Sequence, residues 1–105
     1  MEITSSRFGF SPTHPGEVLK DEIEYRKISQ KELATAMGMS YHVLNDILNA
    51  RRVLTIQTAM MFEAALGVPA DSLMRMQLKY NMYVADHDTT FRKRLANIRK
   101  VAALI

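Results

Sequence analysis

The sequence predicts an all-α chain, and three observations predict it. Apolar residues recur at intervals of three and four along most of the 105 residues instead of alternating as in half-buried strands. Only four glycines and three prolines interrupt that rhythm. Gly38 and Gly67 fall where helices would end, Pro15 and Pro69 where they would begin, and Ser29, Ser40 and Thr55 stand where caps are wanted.

Residues 1–13 contain Ser5, Ser6, Gly9, Ser11 and Pro12 without helical periodicity, so they read as an arm, with Phe8 and Phe10 tacking it to the body. The first helix is expected from Pro15, whose fixed φ suits a first turn, with Glu17 complementing the dipole and Val18, Leu19 and Ile23 facing inward. Ser29-Gln30-Lys31-Glu32 has the form of a capping box that opens a second helix bearing Leu33, Ala34 and Met37. Gly38 closes it in the left-handed conformation and Ser40 caps a third helix, about Tyr41 to Leu48. A fourth comes after Thr55 with Ala59, Phe62 and Leu66 and stops at Gly67. A fifth opens at Pro69 and runs toward Ala85. Asp88, Thr89 or Thr90 can cap a sixth, Phe91 to Leu104. The organisation expected is therefore an arm at 1–13, a helical domain at 14–86 and a basic amphipathic helix at 87–105.

Composition narrows the function. There are no cysteines, which excludes a disulfide framework, a thiolate metal site and a cysteine nucleophile, and fits a cytoplasmic protein. No apolar run approaches the roughly 20 residues needed to span a bilayer. The net charge of +3 is placed unevenly. Residues 88–105 hold Arg92, Lys93, Arg94, Arg99 and Lys100 against Asp88, a net of +4, so residues 1–87 sum to −1. A glycine-rich phosphate loop, a Ser-His-Asp set and a pair of placed carboxylates are all missing, so no enzyme is expected and no cofactor.

Two short helices joined by a three- or four-residue turn containing glycine have the form of a helix-turn-helix, which sets its second helix in the major groove of DNA. In Ser29–Leu48, Ala34 is small where the helices cross, Gly38 makes the turn, and Val43, Leu44, Ile47 and Leu48 can face inward. Tyr41, His42, Asn45 and Asp46 are left outward.

Here the chain resembles the lambda-repressor-like (Xre) helix-turn-helix family and, within it, antitoxins of the HigA/VapI type. The matching residues are His14-Pro15-Gly16-Glu17-Val18-Leu19, Ser29-Gln30-Lys31-Glu32-Leu33-Ala34, Gly38, Met39, Ser40, Ile47-Leu48-Asn49, Arg51 and Arg52. Thr55, Ala59, Leu66-Gly67, Pro69, Gln77 and Tyr80 match as well, so that the resemblance covers about residues 12–83. It implies a lambda-repressor-like five-helix DNA-binding domain, usually dimeric, that represses its own operon and neutralises a RelE-like ribonuclease toxin; the C-terminal helix is additional. Ser72-Leu73 replaces the paired bulky aromatics common in the family, and the basic tail lies outside the shared motif.

Carried over by position, Gln30 and Ser40 would meet phosphates at helix N-termini. Tyr41, His42 and Asn45 would reach base edges, Asn45 with a two-point contact to adenine N6 and N7. Asp46 can accept from cytosine N4 but repels phosphate. Asn49, Arg51 and Arg52 would hold the DNA backbone, each neutralised phosphate adding to the salt dependence of binding. The partners so implied are an inverted-repeat operator in double-stranded DNA, a second copy of the chain and a RelE-like toxin.

Plainer readings stand beside these. Tyr41 and Asn45 can be solvated residues of a packing helix. His14, His42 and His87 are too scattered for a metal site, and His14 reads as structural. Most of the methionines read as core filling. The acidic run Glu17, Asp21, Glu22, Glu24 is either a solvated face or one turned to a protein partner. In the tail, Phe91, Leu95, Ile98, Ala102 and Ile105 form one stripe, to be buried on the chain itself, on a second copy or on a toxin. The main alternative for function is a stand-alone phage- or host-type regulator without a toxin, and an adaptor that uses the fold only for protein binding is a further one.

Overall fold

A computed structural model describes residues 11–105, and every regular element among them is an α-helix. The helices are α1 (Pro15–Tyr25), α2 (Gln30–Met37), α3 (Tyr41–Leu48), α4 (Ile56–Leu66), α5 (Ala70–Asp86) and α6 (Thr89–Ala102). The expected packing of Phe8 and Phe10 falls outside the described residues. The chain divides into two compact units, one formed by Thr13–Leu78 and one that includes Lys79–Ile105.

The starts of the helices obey the capping chemistry. The hydroxyls of Ser29, Ser40 and Thr55 accept the backbone N–H groups of Glu32, Val43 and Thr58 at 3.1–3.2 Å. Each cap satisfies a donor that the first turn leaves without an intrahelical partner, typically about 1 kcal/mol apiece. Asp88 does the same for Phe91, so α6 begins at Thr89, two residues before the expected start. Pro69 precedes α5 instead of opening it, and its carbonyl accepts from Leu73 at 3.2 Å.

The ends of α1, α2 and α3 share one device. In each, a residue just past the last turn goes left-handed and the next N–H reaches back five residues: Ile28 to Ile23, Met39 to Ala34, Arg51 to Asp46. This is the Schellman arrangement. Gly38 takes the left-handed position at φ 71°, as expected, but Lys27 (φ 57°) and Ala50 (φ 60°) take it in the other two. A side chain there is unfavourable, so the surrounding packing holds both residues in place.

In the Thr13–Leu78 unit, α2 packs on α3 and α4, and α1 packs on α3. The core they enclose contains Leu19, Ile23, Leu33, Ala34, Met37, Leu44, Ile47, Leu48, Leu54, Ala59, Phe62, Leu66 and Leu73. Burial of each large member stabilises by about 1.5–3 kcal/mol, so this core outweighs the caps, which chiefly decide where helices begin. Of the pair Ser72-Leu73, Leu73 fills a core position while Ser72 is exposed. Of the methionines, Met37 is in the core and Met39 and Met74 pack against it, but Met60 and Met61 stand exposed beside the buried stripe of α4, contrary to the expectation of core filling.

At Gly16 the backbones of α1 and α3 approach closely. A Cβ on Gly16 would stand 1.8 Å from the backbone oxygen of Ile47, so the two backbones touch with no room for a methyl group. In the other unit, the α5–α6 turn is held by Arg92, whose guanidinium donates to the Asp86 carbonyl at 3.0 Å. No residue of α6 is buried, and Phe91 and Ile98 are 40% and 50% exposed.

Gly16→Ala is therefore expected to cost about 2–4 kcal/mol, because neither backbone can yield without disturbing the core behind it. Urea denaturation of the two proteins checks this: a midpoint within error of the parent would mean that α1 and α3 can separate enough to admit a methyl group at little cost.

Candidate DNA interface

The outward face of α3 and the loop after it gather the polar residues singled out by sequence. Tyr41 and His42 are exposed in the first turn; Asn45 and Asp46 are half-buried along the helix and Asn49 at its C-cap; Arg51 and Arg52 are exposed in the loop. Ser40 is exposed at the cap of α3 and Gln30 half-buried at the first position of α2.

Most of these residues are linked. The Asn45 amide donates to Gln30 Oε1 at 3.1 Å, and its oxygen accepts from Arg51 Nη2 at 2.9 Å. Arg51 Nε donates to Asp46 Oδ1 at 3.1 Å. Asp46 Oδ2 lies 3.4 Å from His42 Nε2 and 3.8 Å from Arg52 Nη2. Asn49 donates to the Asn45 carbonyl at 2.8 Å and accepts from Lys20 Nζ at 2.9 Å. Tyr41 and Ser40 stand outside this network, Tyr41 presenting its ring to solvent and Ser40 serving its cap.

Supporting residues fix the frame. His14 is 2% exposed. Its Nδ1 accepts the Gly16 N–H at 2.9 Å, capping α1, and its ring also hydrogen-bonds the backbone of Arg52. With Nδ1 an acceptor, the proton of the neutral ring sits on Nε2. Burial pushes the His14 pKa below the ordinary value of about 6.5; nearby Glu17 and the bond to Arg52 oppose that shift only in part. Gln77, 1% exposed on α5, accepts the N–H of buried Leu54 at 2.8 Å and so secures the far side of the same loop.

Three of these supports carry no signal specific enough to assign them from sequence: Lys20, Gln77, and the reach of His14 to Arg52. Lys20 shows only as a lysine amid acids on α1, and Gln77 only as one of the residues that match the family resemblance. Neither pattern specifies a partner.

A helix capped by serine and exposed on one face, set at the turn from α2 and leading into a two-arginine loop, lies within the stretch that the helix-turn-helix family model matches, residues 19–73. The chain belongs to the helix-turn-helix family. Across 89 residues it is 30% identical to virulence-associated protein I of Dichelobacter nodosus, covering 84% of this chain and 82% of that protein.

Solved helix-turn-helix relatives extend the likeness. An addiction module antidote protein of the HigA family from Coxiella burnetii is 27% identical, with a TM-score of 0.68 over 87% of this chain and 95% of its own. The Pseudomonas aeruginosa antitoxin HigA, solved with the higBA promoter, is 28% identical, with a TM-score of 0.66 over 90% and 95%. A second Pseudomonas aeruginosa protein, in complex with its 18-bp operator DNA, is 32% identical with a TM-score of 0.67, covering 73% of this chain and 84% of that one.

The buried ring of His14 makes stability of the helix-turn-helix unit depend on pH. The unfolded chain takes up a proton near pH 6.5 and the folded chain resists it, so stability is full above about pH 7 and falls as pH drops below about 6.5. His14→Asn, which keeps a side-chain oxygen for the Gly16 N–H, is expected to lower stability at pH 7.5 by about 1–2 kcal/mol and to flatten the decline between about pH 7 and 5.5. Urea midpoints across that range read both effects; an equally steep decline in the variant would assign it to other groups.

Proposed function

We propose that the chain is a sequence-specific transcriptional repressor that binds double-stranded DNA as a homodimer. We further propose that it is the antitoxin of a HigB/HigA-type operon, acting in the cytoplasm to repress that operon and to neutralise a RelE-like ribonuclease toxin. The observation that carries the DNA reading is the Asn45 amide, held from both sides on the exposed face of α3. After its bonds to Gln30 and Arg51 it retains one acceptor site and one N–H, the pair that adenine N6 and N7 require. Operator and promoter complexes of similar proteins support the same reading.

On this proposal Tyr41, His42 and Asn45 face base edges in the major groove. Ser40 and Gln30, at helix N-termini, meet phosphates with the help of the helix dipole, and Asn49, Arg51 and Arg52 hold the DNA backbone after α3. The antitoxin reading draws on the HigA relatives, which match along nearly their whole length. The apolar stripe of α6, with no buried residue, supplies surface for a second copy or a toxin.

Two measurements test the DNA reading together. Replacing Arg51 and Arg52 by alanine is expected to weaken binding to all duplexes and to shallow the salt slope by up to about 2 units. Asn45→Ala is expected to cost about 1–3 kcal/mol at one base-pair position only. An unchanged slope removes the arginines from the interface, and uniform weakening across operator variants removes Asn45 from base reading.

A single α3 offers about four outward side chains, too few for high selectivity, and a twofold pair doubles them. In vitro selection from a randomised duplex pool is therefore expected to return an inverted repeat with half-sites about 34–36 Å apart, or a multiple of that, and sedimentation to give a dimer. A monomer that protects one half-site overturns the dimer.

A further inference from the structure

A carboxylate on a helix face meant for DNA lowers affinity for the polyanion, so Asp46 calls for a physical account. Its side chain is only 15% exposed, and both oxygens are engaged by groups that the DNA reading assigns to contacts: Oδ1 by Arg51, Oδ2 by His42 and Arg52. A cytosine N4 contact would have to displace one of these. Arg51 also joins Asp46 to Asn45, because one guanidinium nitrogen donates to the acid and another to the amide oxygen. Were the amide reversed, its N–H groups would face the guanidinium and its oxygen would face Gln30 Oε1, donor against donor and acceptor against acceptor. The acid thus holds Arg51, and Arg51 holds Asn45 in one orientation.

Resting on the DNA reading above, we propose that Asp46 determines specificity without reading a base. Its carboxylate draws Arg51 and Arg52 onto the reading helix, away from indiscriminate phosphate contacts, and through Arg51 fixes the amide that reads. On the right sequence, base contacts offset the local cost of the negative charge. On any other sequence that cost remains, and such selective penalties are a general route to discrimination. Asp46 is a positioning residue, acting through its neighbours.

The test uses the full chain with two probes: a duplex recovered from a randomised pool by in vitro selection, and its scrambled counterpart. Asp46→Asn keeps the shape and removes the charge. It is expected to tighten binding to the scrambled duplex by about tenfold, to steepen the salt slope on that duplex by about 1 unit, and to cut the ratio of the two affinities at least tenfold. Asp46→Glu, which retains the charge, is expected to leave scrambled-duplex binding weak; thermal melts confirm that both variants are folded. Selectivity lost at a single C·G pair, with scrambled binding unchanged, would make Asp46 a base reader and overturn the proposal. So would two affinities that both stay at the parental value. A parent chain that binds neither duplex would overturn the DNA reading itself and the role of Asp46 with it, a result distinct from any effect of the substitution.

Discussion

The backbone of Gly16 lies directly against the carbonyl of Ile47, and much of the site is arranged around that approach. Because no side chain intervenes, α1 seats on the last turn of α3 at backbone distance. The residues flanking Gly16 then fall within reach of the end of α3 and the loop beyond it: His14 bonds the backbone of Arg52, and Lys20 bonds the side chain of Asn49. The His-Pro-Gly-Glu segment and the helix-turn-helix are thus two parts of one support. The first fixes the exit of the helix whose entrance the second creates.

That exit needs more than one anchor, since a loop carrying two adjacent arginines repels itself and gains little from burial. Ala50 turns left-handed to close α3, Arg51 N–H returns to the carbonyl of Asp46, and Gln77 takes the N–H of Leu54 from the opposite side. Buried polar groups such as His14 and Gln77 cost stability unless they are paired. Here each is paired with backbone of the segment leading away from α3, so the cost of burying it is offset by order where the cations are displayed.

Sequence reading reaches the parts of this arrangement that are local. Caps at Ser29, Ser40 and Thr55 and the glycine turn at Gly38 depend on residues within a few positions, and the structure has each of them. The left-handed turns at Lys27 and Ala50 were not legible, because neither residue prefers that conformation and tertiary packing imposes it. Nor were the partners of Lys20 and Gln77, which lie 29 and 23 residues away along the chain. Asp46 marks the boundary between the two kinds of information. Its position on the outward face of α3 comes from helical period, whereas its engagement by Arg51 and Arg52 depends on the path of a loop that no periodicity describes.

The charge of the chain is organised by the same logic of local compensation. Net charge alone would direct attention to the tail, where the basic residues are concentrated. Around α3, by contrast, the two arginines converge on one carboxylate, so the outward face is cationic at its rim and nearly balanced at its centre. Long-range attraction to a polyanion scales with uncompensated charge, while discrimination depends on what the paired groups give up on contact. On the DNA reading proposed above, a face built this way would trade raw attraction for selectivity, and its arginines could not be counted as free charges: both lie against a single acid one turn inside the helix.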